Sequence, residues 1–131
     1  MAALNDICLA YSGPIVEKFH ARYRQDGRMK HYFIKLLPPR LDFMQSMTEA
    51  ERSLMGAHQA YWRPLAEKGW AVAYGPVADP AGGFGAGFWT LPDDQDPALL
   101  AGDDPVIKAD AGFRYEILPM PGLVVGRAAP A

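Results

Sequence analysis

The chain has 131 residues, half of them hydrophobic and 21% charged, which suits one packed domain and argues against global disorder. Thirteen basic side chains are scattered among fifteen acidic ones for a net charge of -2, without the one-sided basic patch that phosphate-backbone binding needs, so no nucleic-acid partner is expected. No apolar run approaches the roughly 20 residues that span a bilayer, and the lone Cys8 has no internal disulfide partner.

Residues 1–28 differ in character from the rest of the chain. Asn5 and Asp6 stand where a signal peptide carries a basic start, and the short apolar stretch breaks at Ser12-Gly13-Pro14. A cytoplasmic domain, with no membrane association, is the expectation. A short helix over 15–23 is predicted, ending near Gly27, and the segment as a whole reads as an N-terminal extension. The working domain is expected to run over residues 29–120, with a C-terminal tail over 121–131.

The stretch "MKHYFIKLLPP" predicts the first strand, over 31–37, closed by Pro38-Pro39. A helix comes next. Thr48 with Glu51 three residues on forms a capping box, Glu49 and Glu51 suit the positive end of the helix dipole, and Gly69 supplies the stop. Pro64 removes one helical hydrogen bond and predicts a bend over 60–64. "WAVAYGPV" and "AGFWTLP" read as two strands of a hairpin joined through "ADPAGGFG". "DDQDPALLAGDD" predicts a short helix capped by Asp96 with Pro97 in its first turn, and "FRYEILPM" a last strand.

Strand, helix, strand, strand, helix, strand fits an α+β, ferredoxin-like βαββαβ arrangement: an antiparallel four-stranded sheet with two helices on one face. The other face is expected to be bare. Phe33, Trp70, Trp89 and Tyr115 are assigned to it, which makes a homodimer the expectation.

One helix position stands out. Residues 51, 54, 58, 61 and 65 step by three or four along one side of the helix, and His58 occupies a place where the stripe wants hydrocarbon. A satisfied core histidine would explain it; so would a general acid or base in a cleft between helix and sheet, since imidazole titrates near neutrality. Asp104, in "GDDPV", is a common turn-former before proline, as Asp79 is in "GPVADPAGG", and Asp103 competes with its neighbour for any role. "GGFGAG" leads into a strand and not a helix, so it is no dinucleotide loop; its glycines instead permit a tight or bulged hairpin. The histidines lack metal-ligand spacing, and neither metal nor other cofactor is expected.

In order along the chain, "HYFIKLL", "HQAYWRPLAEKG" opening on His58, "AYGPV" with Gly75-Pro76, and "DDPVIKADAGFRYEILP" resemble the YCII-related family, over residues 30–119. The resemblance implies a ferredoxin-like fold of the dimeric α+β barrel group and a His/Asp-centred pocket, which raises His58 and Asp104 as the catalytic pair. It also implies acid–base chemistry on small ring compounds. One member type is linked to elimination of chloride from a chlorinated hydroxyquinol, and related barrel dimers include muconolactone isomerases. The expectation is therefore a cofactor-independent lyase or isomerase acting on a small-molecule ligand. Arg40 would hold an anionic substrate group and Tyr61 supply a hydroxyl. The alternative is a non-catalytic dimeric module that binds a small metabolite.

Overall fold

The structure, a computed structural model, describes residues 29–126; the expected helix over 15–23, the extension before residue 29 and the end of the tail lie outside the described residues. The elements are β1 (Met29–Leu37), α1 (Phe43–Ser46), α2 (Glu49–Glu67), β2 (Ala71–Val77), β3 (Phe84–Pro92), α3 (Pro97–Gly102), α4 (Pro105–Lys108) and β4 (Arg114–Met120). The fold is α+β, built on an open antiparallel sheet of order β2-β3-β1-β4. Two four-residue helices, α1 and α4, are absent from the sequence reading, because one turn is too short to show a helical period. No helix among the described residues is long and apolar enough to cross a membrane.

Both ends of α2 form as the sequence dictates. The Thr48 hydroxyl accepts from Glu51 N–H at 3.1 Å, and the Glu51 carboxylate accepts from Thr48 N–H at 2.9 Å. At the other end Gly69 adopts φ +83°, and the amides of Gly69 and Trp70 bond back to the carbonyls of Ala66 and Leu65. The helix stays continuous through Pro64.

Strand alternation sends Ile34 and Leu36 of β1, with Trp89 and Leu91 of β3, toward the helices. One core cluster joins Ile34, Trp89 and Leu91 to Trp62 and Leu65 of α2 and to Leu100 and Ala101 of α3. A second joins Leu36 to Phe43, Val106 and Phe113. This corrects the assignment of aromatic residues to a bare face. Trp89 is fully buried on the helix side, Tyr115 packs against both clusters, and Trp70 precedes β2 with Lys68 Nζ 3.5 Å from its ring centroid. Of that set Phe33 alone lies on the second face, beside its cross-strand neighbour Phe88 with ring centroids 5.3 Å apart. Alternation fixes which residues share a face, but it does not say which face the helices will cover.

Candidate active site

The two core clusters do not close on each other. Between them lies a cavity of about 440 Å³, walled by α2 on one side and by β3 and the end of β2 on the other. The glycines in "GGFGAGFW" let side chains of its wall pack directly on the backbone of this segment. Gly85 and Gly87 share one face of β3 and, with Gly83 just before the strand, border the cavity. A Cβ on Gly87 would lie 2.9 Å from two ring carbons of Trp62, and one on Gly85 would lie 3.3 Å from the Leu36 Cβ. The expectation that these glycines serve a bulged hairpin is only partly met. Gly82 does take φ +145° in the turn, but the bulge falls between Ala71 and Ala73 of β2.

His58 enters from α2 and borders this cavity, its side chain 18% exposed. Behind it stands Asp104, with no exposed surface at all. His58 Nδ1 and Asp104 Oδ2 are 2.7 Å apart. The same oxygen accepts from Tyr115 OH at 2.5 Å and from Trp62 Nε1 at 3.0 Å, while Oδ1 accepts from Val106 N–H at 3.1 Å. Trp62 Nε1 also reaches Tyr115 OH at 3.0 Å.

The local sequence explains the double duty of Asp104. Before Pro105 its backbone is held extended, at φ -64° and ψ 132°, as the residue preceding proline must be. It caps α4 through one oxygen, which is the turn-forming role of an Asp-Pro pair. The geometry of that cap leaves the second oxygen facing α2 and β4. The helix-capping and the histidine-binding readings of Asp104 therefore coexist in one side chain.

Electrostatics follow from this arrangement. Burial opposes ionisation of Asp104, but the hydrogen bonds from His58 and Tyr115, the nearby imidazole and the Val106 amide outweigh it and hold its carboxyl below the usual carboxylate range. Burial, and then the neighbouring Asp104 carboxylate, push the Tyr115 phenol well above its ordinary value, so it remains a proton donor to Asp104. Nδ1 is thus committed to Asp104. Nε2 makes no hydrogen bond among the described residues, and the one buried side-chain nitrogen or oxygen among them without a partner is Trp89 Nε1. Nε2 is accordingly reachable from outside the protein wall.

The other two sequence-predicted residues are not brought to the cavity. The Arg40 guanidinium forks onto both carboxylate oxygens of Glu51, at 2.8 and 2.7 Å, and donates to Ser46 Oγ and Ser46 O. It latches the loop after β1 to the start of α2. The Arg40 fork, followed by the Thr48 amide, holds the Glu51 carboxyl down at about 2. Tyr61 OH donates to Leu100 O at 2.7 Å and joins the core; burial, then the charges of Asp103 and Asp104, push the phenol up to about 12. Of the competing carboxylates, Asp103 is exposed beside Lys108 at 3.8 Å, and Asp79 accepts from Ala81 N–H within the β2–β3 turn.

Sequence reasoning missed Trp62 and Tyr115, the two further donors to Asp104, and also Gln59 and Arg63, which line the cavity. The signal for Trp62 was present in its spacing, four residues beyond His58 on the same helical side. Among the described residues no three His, Cys, Asp or Glu side chains gather as metal ligands would. No protein-family model matches this chain, and neither the curated proteins nor the solved structures include a significant match.

Proposed function

We propose that this chain is a small-molecule enzyme of the YCII-related kind, a lyase or isomerase that moves protons with its own His58 and Asp104. The observation that carries the proposal is the hydrogen-bonded pair itself: a buried carboxylate 2.7 Å from an imidazole that borders an apolar cavity. His58 Nε2 takes a proton from bound substrate. Asp104 holds the ring in the tautomer that leaves Nε2 free and stabilises the imidazolium formed. Return of that proton to a second atom of the substrate gives isomerisation; its delivery to a leaving group gives elimination. Trp62, Tyr115 and the Val106 amide keep Asp104 fixed through the cycle. The hydrocarbon walls raise the strength of each of these interactions above its value in water. General acid–base help of this kind is worth about 10²- to 10⁴-fold in rate.

The sheet order β2-β3-β1-β4, with α2 and α3 packed on one side, supports a ferredoxin-like plan. On the dimeric α+β barrel reading a second copy meets the other face, where Phe33, Phe88 and the exposed Leu118 lie. Sedimentation of the full chain should give a dimer that Leu118→Glu dissociates, and a monomeric wild type would end that part of the reading.

Solvent deuterium exchange tests the chemistry. In D₂O the full chain is incubated with a panel of enolisable small acids, lactones and phenols, and loss of C–H signal is followed by proton NMR. Exchange by wild type at least about 100-fold faster than by His58→Gln is expected. Equal rates for both proteins across the panel would refute the assignment.

A further inference from the structure

The cavity beside His58 is electrostatically one-sided. Among the described residues that line it, Arg63 carries the one fixed charge, and no carboxylate borders it. Asp104 stands behind His58 and is already matched by its donors. Arg63 itself makes no ion pair, hydrogen bond or ring contact with any described residue, in contrast to Arg40, whose guanidinium is fully engaged by Glu51 and Ser46. A guanidinium at the edge of an apolar hollow, without a carboxylate to answer it, is placed to receive an anion from solution.

Helix geometry says where that anion would lie. Gln59 and Arg63 are four residues apart on α2 and border one rim, while His58 and Trp62 form the adjacent, deeper stripe. Five residues separate His58 from Arg63, about 7–8 Å along the helix axis. With the turn of about 140° that five residues make around the axis, both reach the cavity from different sides of α2, a span for one ring carrying a short acidic arm. The cavity suits such a body: Ile34, Leu36, Phe43, Phe84 and Phe113 supply hydrocarbon wall.

Resting on the acid–base reading of His58, we propose that the cavity takes a small apolar ring compound bearing one carboxylate, and that Arg63 is the residue that binds the carboxylate. Arg63 thus fills the role that the sequence pattern offers to Arg40. Gln59 donates beside it, and the substrate atom that exchanges its proton sits across the ring, at His58 Nε2.

Calorimetric titration of the full chain with benzoate and cyclohexanecarboxylate, each against its neutral amide, tests the assignment. Wild type should bind the carboxylates more tightly than the amides. Arg63→Met should weaken the carboxylates by about ten- to a hundredfold, the weight of a charge-assisted hydrogen bond, and leave the amides unchanged. Arg63 is exposed, so its replacement does not threaten the fold. Failure of both carboxylates to bind, equal affinity for acid and amide, or an Arg63→Met variant that binds benzoate as wild type does would each overturn the proposal. His58→Gln separates this proposal from the catalytic one. If neither wild type nor His58→Gln exchanges substrate protons while benzoate binding still depends on Arg63, the acid–base reading falls and the carboxylate site stands.

Discussion

Replacing Asp104 by asparagine keeps the side-chain shape and removes the charge, and the structure predicts a large effect. Both carboxylate oxygens accept: Oδ1 from Val106 N–H, and Oδ2 from His58, Trp62 and Tyr115. An asparagine has one acceptor and one donor group, so either amide orientation turns an NH₂ against an existing donor. With the carbonyl at the Oδ2 site the α4 cap is lost, at about 1 kcal/mol, and a buried NH₂ is left unpaired, at about 1–3 kcal/mol. The bonds that remain at Oδ2 lose their charge assistance as well. Against this stands relief from burying a charge. That relief is the smaller effect, because the lowered carboxyl pKa shows that this site favours the ion more than water does. The net cost is about 3–5 kcal/mol, a large share of a domain's stability, or a fall in Tm of about 12–20 °C. Urea unfolding at neutral pH measures it; a loss below about 1 kcal/mol would refute the four-donor arrangement. The pH dependence has a definite sign. A depressed carboxyl contributes stability above its unfolded value of 3.8, and that contribution is lost as pH falls through the folded value. The gap between wild type and Asp104→Asn should therefore narrow in acid, as pH falls through the folded carboxyl value.

Gly87→Ala should destabilise by about 1–3 kcal/mol and alter tryptophan emission, because its Cβ meets the Trp62 ring at 2.9 Å and that ring is already hydrogen-bonded to Asp104; Gly85→Ala, at 3.3 Å from the Leu36 Cβ, should cost less. A Gly87→Ala melt no lower than that of Gly85→Ala would contradict this account of the cavity wall. Arg40→Met should leave benzoate affinity unchanged, since Arg40 does not line the cavity, while moving acid unfolding to higher pH. With its fork gone, Glu51 rises from about 2 toward 4.5, so stability it lends at moderately acid pH is lost earlier. Titration with benzoate and acid-unfolding curves check the two halves separately.

Much of the fold was legible because its signals are local. The Thr48–Glu51 box, the Gly69 stop and the Asp96-Pro97 helix start each lie within a few residues of one another, and all three form as the sequence predicts. The site was legible only in outline. His58 stands out as a polar residue on an apolar stripe, but its partner lies 46 residues away and the Trp62–Tyr115 contact spans 53, separations over which periodicity carries no information. Tyr115 falls on the opposite face from the one expected because alternation gives parity without direction. Arg40 attracts attention as a loop arginine, and Arg63 does not, because a charge on an amphipathic helix ordinarily faces solvent. What separates them is pairing: Glu51 answers one, and no described carboxylate answers the other.

The most direct test is nitrogen-resolved NMR of the His58 ring in the full-length protein, at a pH where the ring is neutral. The account predicts a proton on Nδ1, with the far-downfield resonance of a strong hydrogen bond that disappears in Asp104→Asn, and an unprotonated Nε2 open to added ligand. A neutral ring carrying its proton on Nε2, or an Nδ1 signal indifferent to Asp104→Asn, would contradict it.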